Sequence, residues 1–426
     1  MIKTLFLLLA QVLFIAAQPL PQLLKDLEEQ NPDVLAARLE QRKAAEQADG
    51  AAGLLWPSLS FNAGYNHVSD LARIDFPALP GVTPRTVSLG QRDNYAFSLT
   101  ARYLLFNGFG TRALIDAAKT RSAISGVELK ARRKKAALET IALYRQIQGV
   151  RLNLHVIRAT RERRQLQLEK VKSLLESGFV RPVDTLAVRL SVLDAGQQIL
   201  SEQSRLFRLQ QQLNNLFGRQ VNVQDFKESS ALQSPELNLG GVEQLQTLEL
   251  SGKLIDFQTR QKRSYFYPRV ALVAAYNYGN PGVDIINSNW MDYYTLGINL
   301  SWSLWEGRRH SHDVRAMDYS RRQLDLQKKN LTRRWRSDFL ETREEIKVLR
   351  KALRLAGKRV ELARRKWRIL AAQLEEGTAQ SKEVDDASLQ LTQAELALNA
   401  QKIALRSKQN ELEYLSGKPI SEWSVQ

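Results

Sequence analysis

Hydrophobic and polar residues alternate along four stretches of the chain, strictly in one of them. Between Gly297 and Gly307, the apolar Ile298, Leu300, Trp302 and Leu304 alternate with Asn299, Ser301 and Ser303. Leu59, Phe61, Ala63 and Tyr65 alternate with Ser60, Asn62 and Gly64. Tyr95, Phe97, Leu99, Ala101, Tyr103 and Leu105 oppose Ser98, Thr100 and Arg102, and Val270, Leu272, Ala274 and Tyr276 repeat the pattern against a less polar opposite face. A period of two predicts strands with one dry face, over 58–67, 95–106, 269–278 and 293–305. About ten residues each suits a tilted membrane strand.

Elsewhere the period is that of helices. Helices are expected over 22–55, 110–176, 183–216, 243–266, 308–375 and 380–415. The first and fourth end before Pro57 and Pro268, because the residue ahead of proline disfavours the helical region. Gly178 and Gly377 follow the two longest helices, and Gly218 and Gly417 follow the shorter ones, where a left-handed residue closes the last turn. Sixty-seven residues at about 1.5 Å each give about 100 Å of helix. A 3-4 seam of Val150, Leu154 and Ile157, then Leu168, Val171 and Leu175, fits coiled-coil packing, with Arg161 and Arg164 interrupting it.

These landmarks recur. Phe106 and Trp305, Gly178 and Gly377, and Gly218 and Gly417 are each 199 positions apart, while Pro57 and Pro268 are 211 apart. The dozen extra residues fall in a loop around the proline-rich "FPALPGVTPRTVSLG". The chain reads as a tandem duplication: residues 18–219 and 243–418, joined by a segment at 220–242 and followed by a short tail at 419–426.

Four strands cannot close a barrel, and an open sheet edge is not viable in lipid, so the simplest escape is for several copies to share one. A soluble sandwich needs a second sheet or a covering helix pattern, and neither is offered. Trp56, Phe106, Tyr267 and Trp305 sit at helix–strand junctions, where a membrane-interface girdle of aromatics is expected.

Composition narrows the class. The opening "MIKTLFLLLAQVLFIAAQ" has one Lys, an apolar run of about fourteen residues and the small pair Ala16-Ala17. It reads as a signal peptide over 1–17. No other stretch reaches the length of a spanning helix. The absence of cysteine excludes disulfides, thiol nucleophiles and Cys-ligated metals. A net charge of +17 lies mostly on the long helices, as in "ARRKK" and "RERR"; it fits a solvated face, or a lumen favouring anions. His310 and His312, two apart, do not share a helix face, so a metal site is not supported. No nucleophile motif or phosphate loop is present, and neither an enzyme nor a cofactor is expected. The export signal argues against a nucleic-acid-binding coiled coil.

The duplication, the proline-started strands, "LLFNGFG", the hairpins "ESGFVRPVDTL" and "EEGTAQSKEVDDA", and "LNNLFGR" together resemble the TolC-like outer-membrane efflux proteins. The resemblance covers nearly all of the chain after the leader. It implies an α plus membrane-β fold: a tandem-repeat protomer with four barrel strands and long coiled-coil-like hairpins. Three such protomers would make a twelve-stranded β-barrel and a periplasmic α-helical tunnel. It implies export to the exterior, with a periplasmic adaptor protein and an inner-membrane transporter as partners and outer-membrane lipid around Ile298, Leu300, Trp302 and Leu304. It also implies acidic entrance residues beyond the hairpin turns, at Asp184, Glu383 and Asp386. The Tyr and Arg that latch the entrance in some members are replaced here by Leu374 and Ala379. The alternative is a periplasmic coiled-coil adaptor, which would lack the four strands, or a structural protein of an envelope complex.

Overall fold

A computed structural model describes residues 17–76, 83, 85–227, 235–284 and 289–423. Nearly all of the expected signal peptide lies outside the described residues. Among the described residues, seven α-helices span Leu20–Gln30 (α1), Pro32–Ala52 (α2), Gly110–Glu176 (α3), Pro182–Phe217 (α4), Glu243–Ser264 (α5), Arg309–Glu375 (α6) and Ser381–Leu415 (α7). Six strands among them span Ser58–His67 (β1), Ala72–Phe76 (β2), Arg85–Leu89 (β3), Asp93–Phe106 (β4), Arg269–Asn280 (β5) and Met291–Ser301 (β6). The chain forms two compact units, one of residues 42–125 and 248–327, the other of the remainder.

The first unit carries a four-stranded antiparallel sheet in the order β1-β4-β5-β6. Residues directly opposite across antiparallel strands share a face. Phe61 pairs with Leu99, Leu99 with Tyr276, and Tyr276 with Tyr294. One row further, Leu59, Ala101, Ala274 and Leu296 are aligned. One face is therefore apolar across all four strands. The other carries Ser60, Thr100, Ala275 and Thr295 in register, then Asn62, Ser98, Asn277 and Tyr293.

In the second unit the long helices are built on heptads. Trp335, Phe339, Thr342 and Ile346 are buried at 4-3-4 spacing on α6, and Trp335, Phe339 and Ile346 pack with Val242 just before α5, Leu245 in its first turn and Leu412 and Leu415 of α7. A larger core joins α1, α2, α3, α4 and the tail through Leu23, Ile141, Ile147, Leu213 and Trp423. On α3 the seam does not lapse at Arg164, as the sequence suggested. Arg164 is itself a buried seam residue, and its guanidinium donates to the Ser191 carbonyl at 2.6 Å. Thr160 and Gln167 continue the seam, bonding Thr392 and Ser381 of α7. Arg161 is exposed.

The duplication extends to the backbone. Gly108, Phe109, Gly178 and Gly218 have positive φ, and so do Gly307, Arg308, Gly377 and Gly417, each 199 residues later. Helices α3 and α6 are both 67 residues long.

Four further expectations need correction. The first helix is two: Asn31, ahead of Pro32, is extended, and its side chain accepts from the Val34 amide at 3.1 Å. The loop after β1 contains an antiparallel pair, β2 with β3, so the chain has more than four strands. A bulge between Leu104 and Phe106 leaves Leu105 without a partner, while Phe106 pairs with Val270 and rejoins the apolar face. Strand β6 ends at Ser301, opposite Arg269, the first residue of β5, so Trp302 and Leu304 lie beyond it.

One buried charge ties the repeats together in the second unit. The Lys134 ammonium on α3 lies 2.7 Å from the Glu243 carboxylate at the start of α5. It also donates to the Gly241 and Gly417 carbonyls at 3.1 and 3.4 Å. Its side chain is 6% exposed and that of Glu243 10%. Removing one partner strands the other charge, which typically costs about 3–5 kcal/mol. Lys134→Met is expected to lower unfolding stability by about that amount, and adding Glu243→Leu to recover most of it. Denaturant titration of the three proteins in detergent checks this. A single variant as stable as the parent contradicts the tie.

Candidate functional site: the sheet surface and the hairpin ends

Register sets the surface of the sheet. Ile298 and Leu300 are 68% and 67% exposed, and Leu59, Phe61, Leu99 and Leu296 are exposed on the same face. Among the described residues, β1 and β6 are the sheet's edges and each pairs on one side only. The four junction aromatics lie at one end of the sheet, because β1 and β5 begin there and β4 and β6 end there. Trp56, Tyr267 and Trp305 are exposed. Phe106 packs edge-on against Tyr267 and Phe109, at centroid separations of 6.5 and 5.7 Å. Trp302, just past the strand, donates its indole N–H to the Phe266 carbonyl at 3.2 Å. Leu304 is exposed beside it.

The hairpin ends are built by local chemistry. Gly178 has φ +78° and Gly377 φ +75°. The amides just after them, of Phe179 and Thr378, donate back to the Leu174 and Gln373 carbonyls at 2.9 and 2.8 Å. The next helix starts with an acid in the third position. The Arg181 backbone N–H donates to the Asp184 carboxylate at 3.1 Å, and its guanidinium reaches both carboxylate oxygens at 3.3 Å. The Gln380 N–H donates to Glu383 at 3.0 Å in the same way. Both acids therefore cap their own helices, the local role that such residues have in any protein.

The remaining acids separate. Glu383 and Asp386 are exposed, whereas Asp385 is half-buried and turns toward α3 and α4. Burial raises the Asp385 carboxyl above its ordinary value, with Arg164, 3.9 Å away, and Ser191 opposing. Leu374, at the first of the two latch positions, is buried. The ties from Arg164 to Asp385 and Ser191 join residues far apart in sequence and carry no local signal. Among the described residues, no cluster of His, Asp and Glu fits a metal ion, and no helix is long and apolar enough to cross a membrane.

A sheet with an apolar face and two open edges, in a chain of duplicated helical hairpins, defines a membrane-barrel protomer. The profile of the outer membrane efflux protein family matches residues 23–219 and 236–418, and the chain belongs to that family. It is accordingly an outer-membrane efflux channel protein with periplasmic helices, not an enzyme, and the adaptor reading falls. Solved structures agree in fold. The outer-membrane channel OprN superposes with a TM-score of 0.79 at 16% identity, covering 93% of this chain and 89% of its own. VceC from Vibrio cholerae gives 0.76 at 16%, covering 93% and 94%. The CmeC outer membrane channel of Campylobacter jejuni gives 0.80 at 13%, covering 93% and 85%. No curated protein sequence matches the chain.

Asp184 offers a check on the hairpin geometry. The Arg181 guanidinium and then its backbone N–H hold the carboxyl below its ordinary 3.8. A depressed acid contributes stability that is present above the unfolded pKa and lost as pH falls through the folded one. Asp184→Asn should therefore melt lower than the parent at neutral pH, with the gap closing below pH 3.8. Circular-dichroism melts across the acid range read this directly. A gap that persists unchanged into acid contradicts the pairing.

Proposed function

We propose that three copies of this chain close one twelve-stranded barrel in the outer membrane, forming a duct that exports cargo from the periplasm. One observation carries the reading: a four-stranded sheet with an exposed apolar face and unpaired edges at β1 and β6. Hydrocarbon offers no partner for a bare strand edge, so β6 of one copy pairs with β1 of the next. The chain mass measured by light scattering of detergent-extracted protein, after subtracting detergent, should be that of three chains. A monomer that keeps its strand content overturns the shared barrel.

Ile298 and Leu300 then face outer-membrane lipid, and Ser301 faces the water-filled lumen. Trp302 and Leu304, past the end of β6, join Trp56, Phe106, Tyr267 and Trp305 at the interface, where amphipathic aromatics settle. Leu296→Arg, in the middle of β6 on the apolar face, is expected to cost about 2–4 kcal/mol at the bilayer midplane. Thr295→Arg, on the opposite face, should be tolerated better. Heat-resistant oligomer in isolated outer membranes compares the two, and equal defects contradict the assigned faces.

The cargo reaches the duct through a periplasmic adaptor protein and an inner-membrane transporter, and nucleic acid has no part in it. Support for this comes from the family. Beyond the turn glycines, Asp184, Glu383 and Asp386 ring the periplasmic entrance, where threefold symmetry concentrates like charge and attracts cations. Glu383 and Asp386 are three apart on α7 and both exposed. Glu383→Gln with Asp386→Asn should lower cation preference and weaken block by divalent cations, while Asp385→Asn does much less. Reversal potentials in planar bilayers under a salt gradient measure this. Unchanged selectivity and block leave these residues as helix-start acids only.

A further inference from the structure

Helices α3, α6 and α7 line an open recess of about 450 Å³ within the second unit. Its charge does not balance. Arg163 from α3 and Arg364 and Arg368 from α6 line it, against the single carboxylate of Glu395 on α7. Arg364 binds Glu395 at 2.6 Å, and Arg163 lies 3.6 Å from the other carboxylate oxygen. Arg368 is exposed and has no carboxylate partner among the described residues. Glu395 and Arg163 are mostly buried, with side chains 12% and 17% exposed. The Arg163 Nε is buried without a hydrogen-bond partner. Burial holds this guanidinium below its ordinary range, and Arg364 pushes it the same way, against Glu395.

The recess also has an apolar side. Trp367 lines it with Leu391, and the Arg163 guanidinium carbon sits 5.6 Å from the Trp367 ring centroid. Arg163 and Arg364 share one carboxylate and Arg368 lines the same recess, so positive charges repel one another there, with water screening the exposed Arg364 and Arg368. A second anion relieves that repulsion. Guanidinium forks match planar or tetrahedral oxyanions, and aromatic rings stack on Trp and Arg alike.

We propose that this recess binds a small anion with a flat apolar body, an aromatic carboxylate or sulfonate. Its charged group lies among Arg163, Arg364 and Arg368, and its ring lies against Trp367. Size favours a small molecule over a protein segment. Each helix lines the recess over nine residues (155–163, 360–368 and 391–399). That is about 12 Å of axis, barely the width of one helix with its side chains. The volume is that of an ordinary small-molecule site. A bound anion would bridge α3 to α6 across α7.

Calorimetric titration of the full-length protein in detergent with naphthalene-1-sulfonate tests this. One saturable site per chain is expected, weakened by high salt. Arg364→Gln with Arg368→Gln should weaken binding about tenfold or more, since two charge-assisted contacts are lost. The neutral naphthalene-1-methanol should bind more weakly by a similar factor. Both arginines are substantially exposed, so the variant should fold. Arg368→Gln alone, which breaks no ion pair, carries the test if it does not. Absence of saturable binding, equal binding of the neutral alcohol, or indifference to the arginine variants overturns the proposal. So does an acidic helical peptide that binds through these arginines when the sulfonate does not. The recess lies within one chain, so light scattering of the same sample reads the proposed assembly independently.

Discussion

A strand edge is a row of amide and carbonyl groups that needs partners. In water the solvent supplies them, but in hydrocarbon each missing partner costs several kcal/mol. In this chain β1 and β6 each present such an edge, and the sheet between them has an apolar face in register across all four strands. The apolar face suits lipid and the two edges do not. The shared barrel resolves the conflict, because closure alone removes an edge. The same requirement explains why the strands come two from each repeat. A single repeat's pair would be two edges with almost no interior, too little to stand alone.

Duplication supplies the other half of the design. The positive-φ positions recur at one offset, and α3 and α6 match in length, so each repeat closes its helices with the same turns. The repeats differ where nothing forces them to agree. Among the described residues, only the first carries a β2–β3 pair, and only its opening helix is broken by a proline, at Pro32. The buried Lys134 of the first repeat bonds the Gly241 and Gly417 carbonyls near the two ends of the second, so the copies are interlocked rather than merely joined.

Much of this was legible because its causes are local. Proline ahead of a strand, glycine after a helix and a period of two each act within a few residues. What was missed depends on partners. Alternation continues through Trp302 and Leu304, but β6 stops at Ser301, where β5 has no further residue to pair. The prolines at 77, 80 and 84 suggested a plain loop, yet Arg73, Ile74 and Asp75 find Ser88, Val87 and Thr86 across it. Arg164 looked like a break in the seam because arginine is rarely buried. The Ser191 carbonyl, supplied by α4, makes that position tolerable, and no stretch of α3 announces it.

The proposed entrance acids show how the duplication separates a cap from a charge. Glu383 and Asp184 are 199 residues apart, and each accepts from the backbone N–H that precedes its helix. A residue present in both repeats in the same bond is explained by helix-end chemistry alone. Asp386 differs on both counts. Its counterpart in the first repeat is Ala187, and it is the sixth residue of α7, beyond the first turn where the helix dipole acts. It is exposed and caps nothing. Of the three proposed entrance residues, Asp386 is therefore the one whose charge the fold does not require. The weight of the selectivity argument falls on it, with Glu383 contributing charge as a by-product of holding the turn.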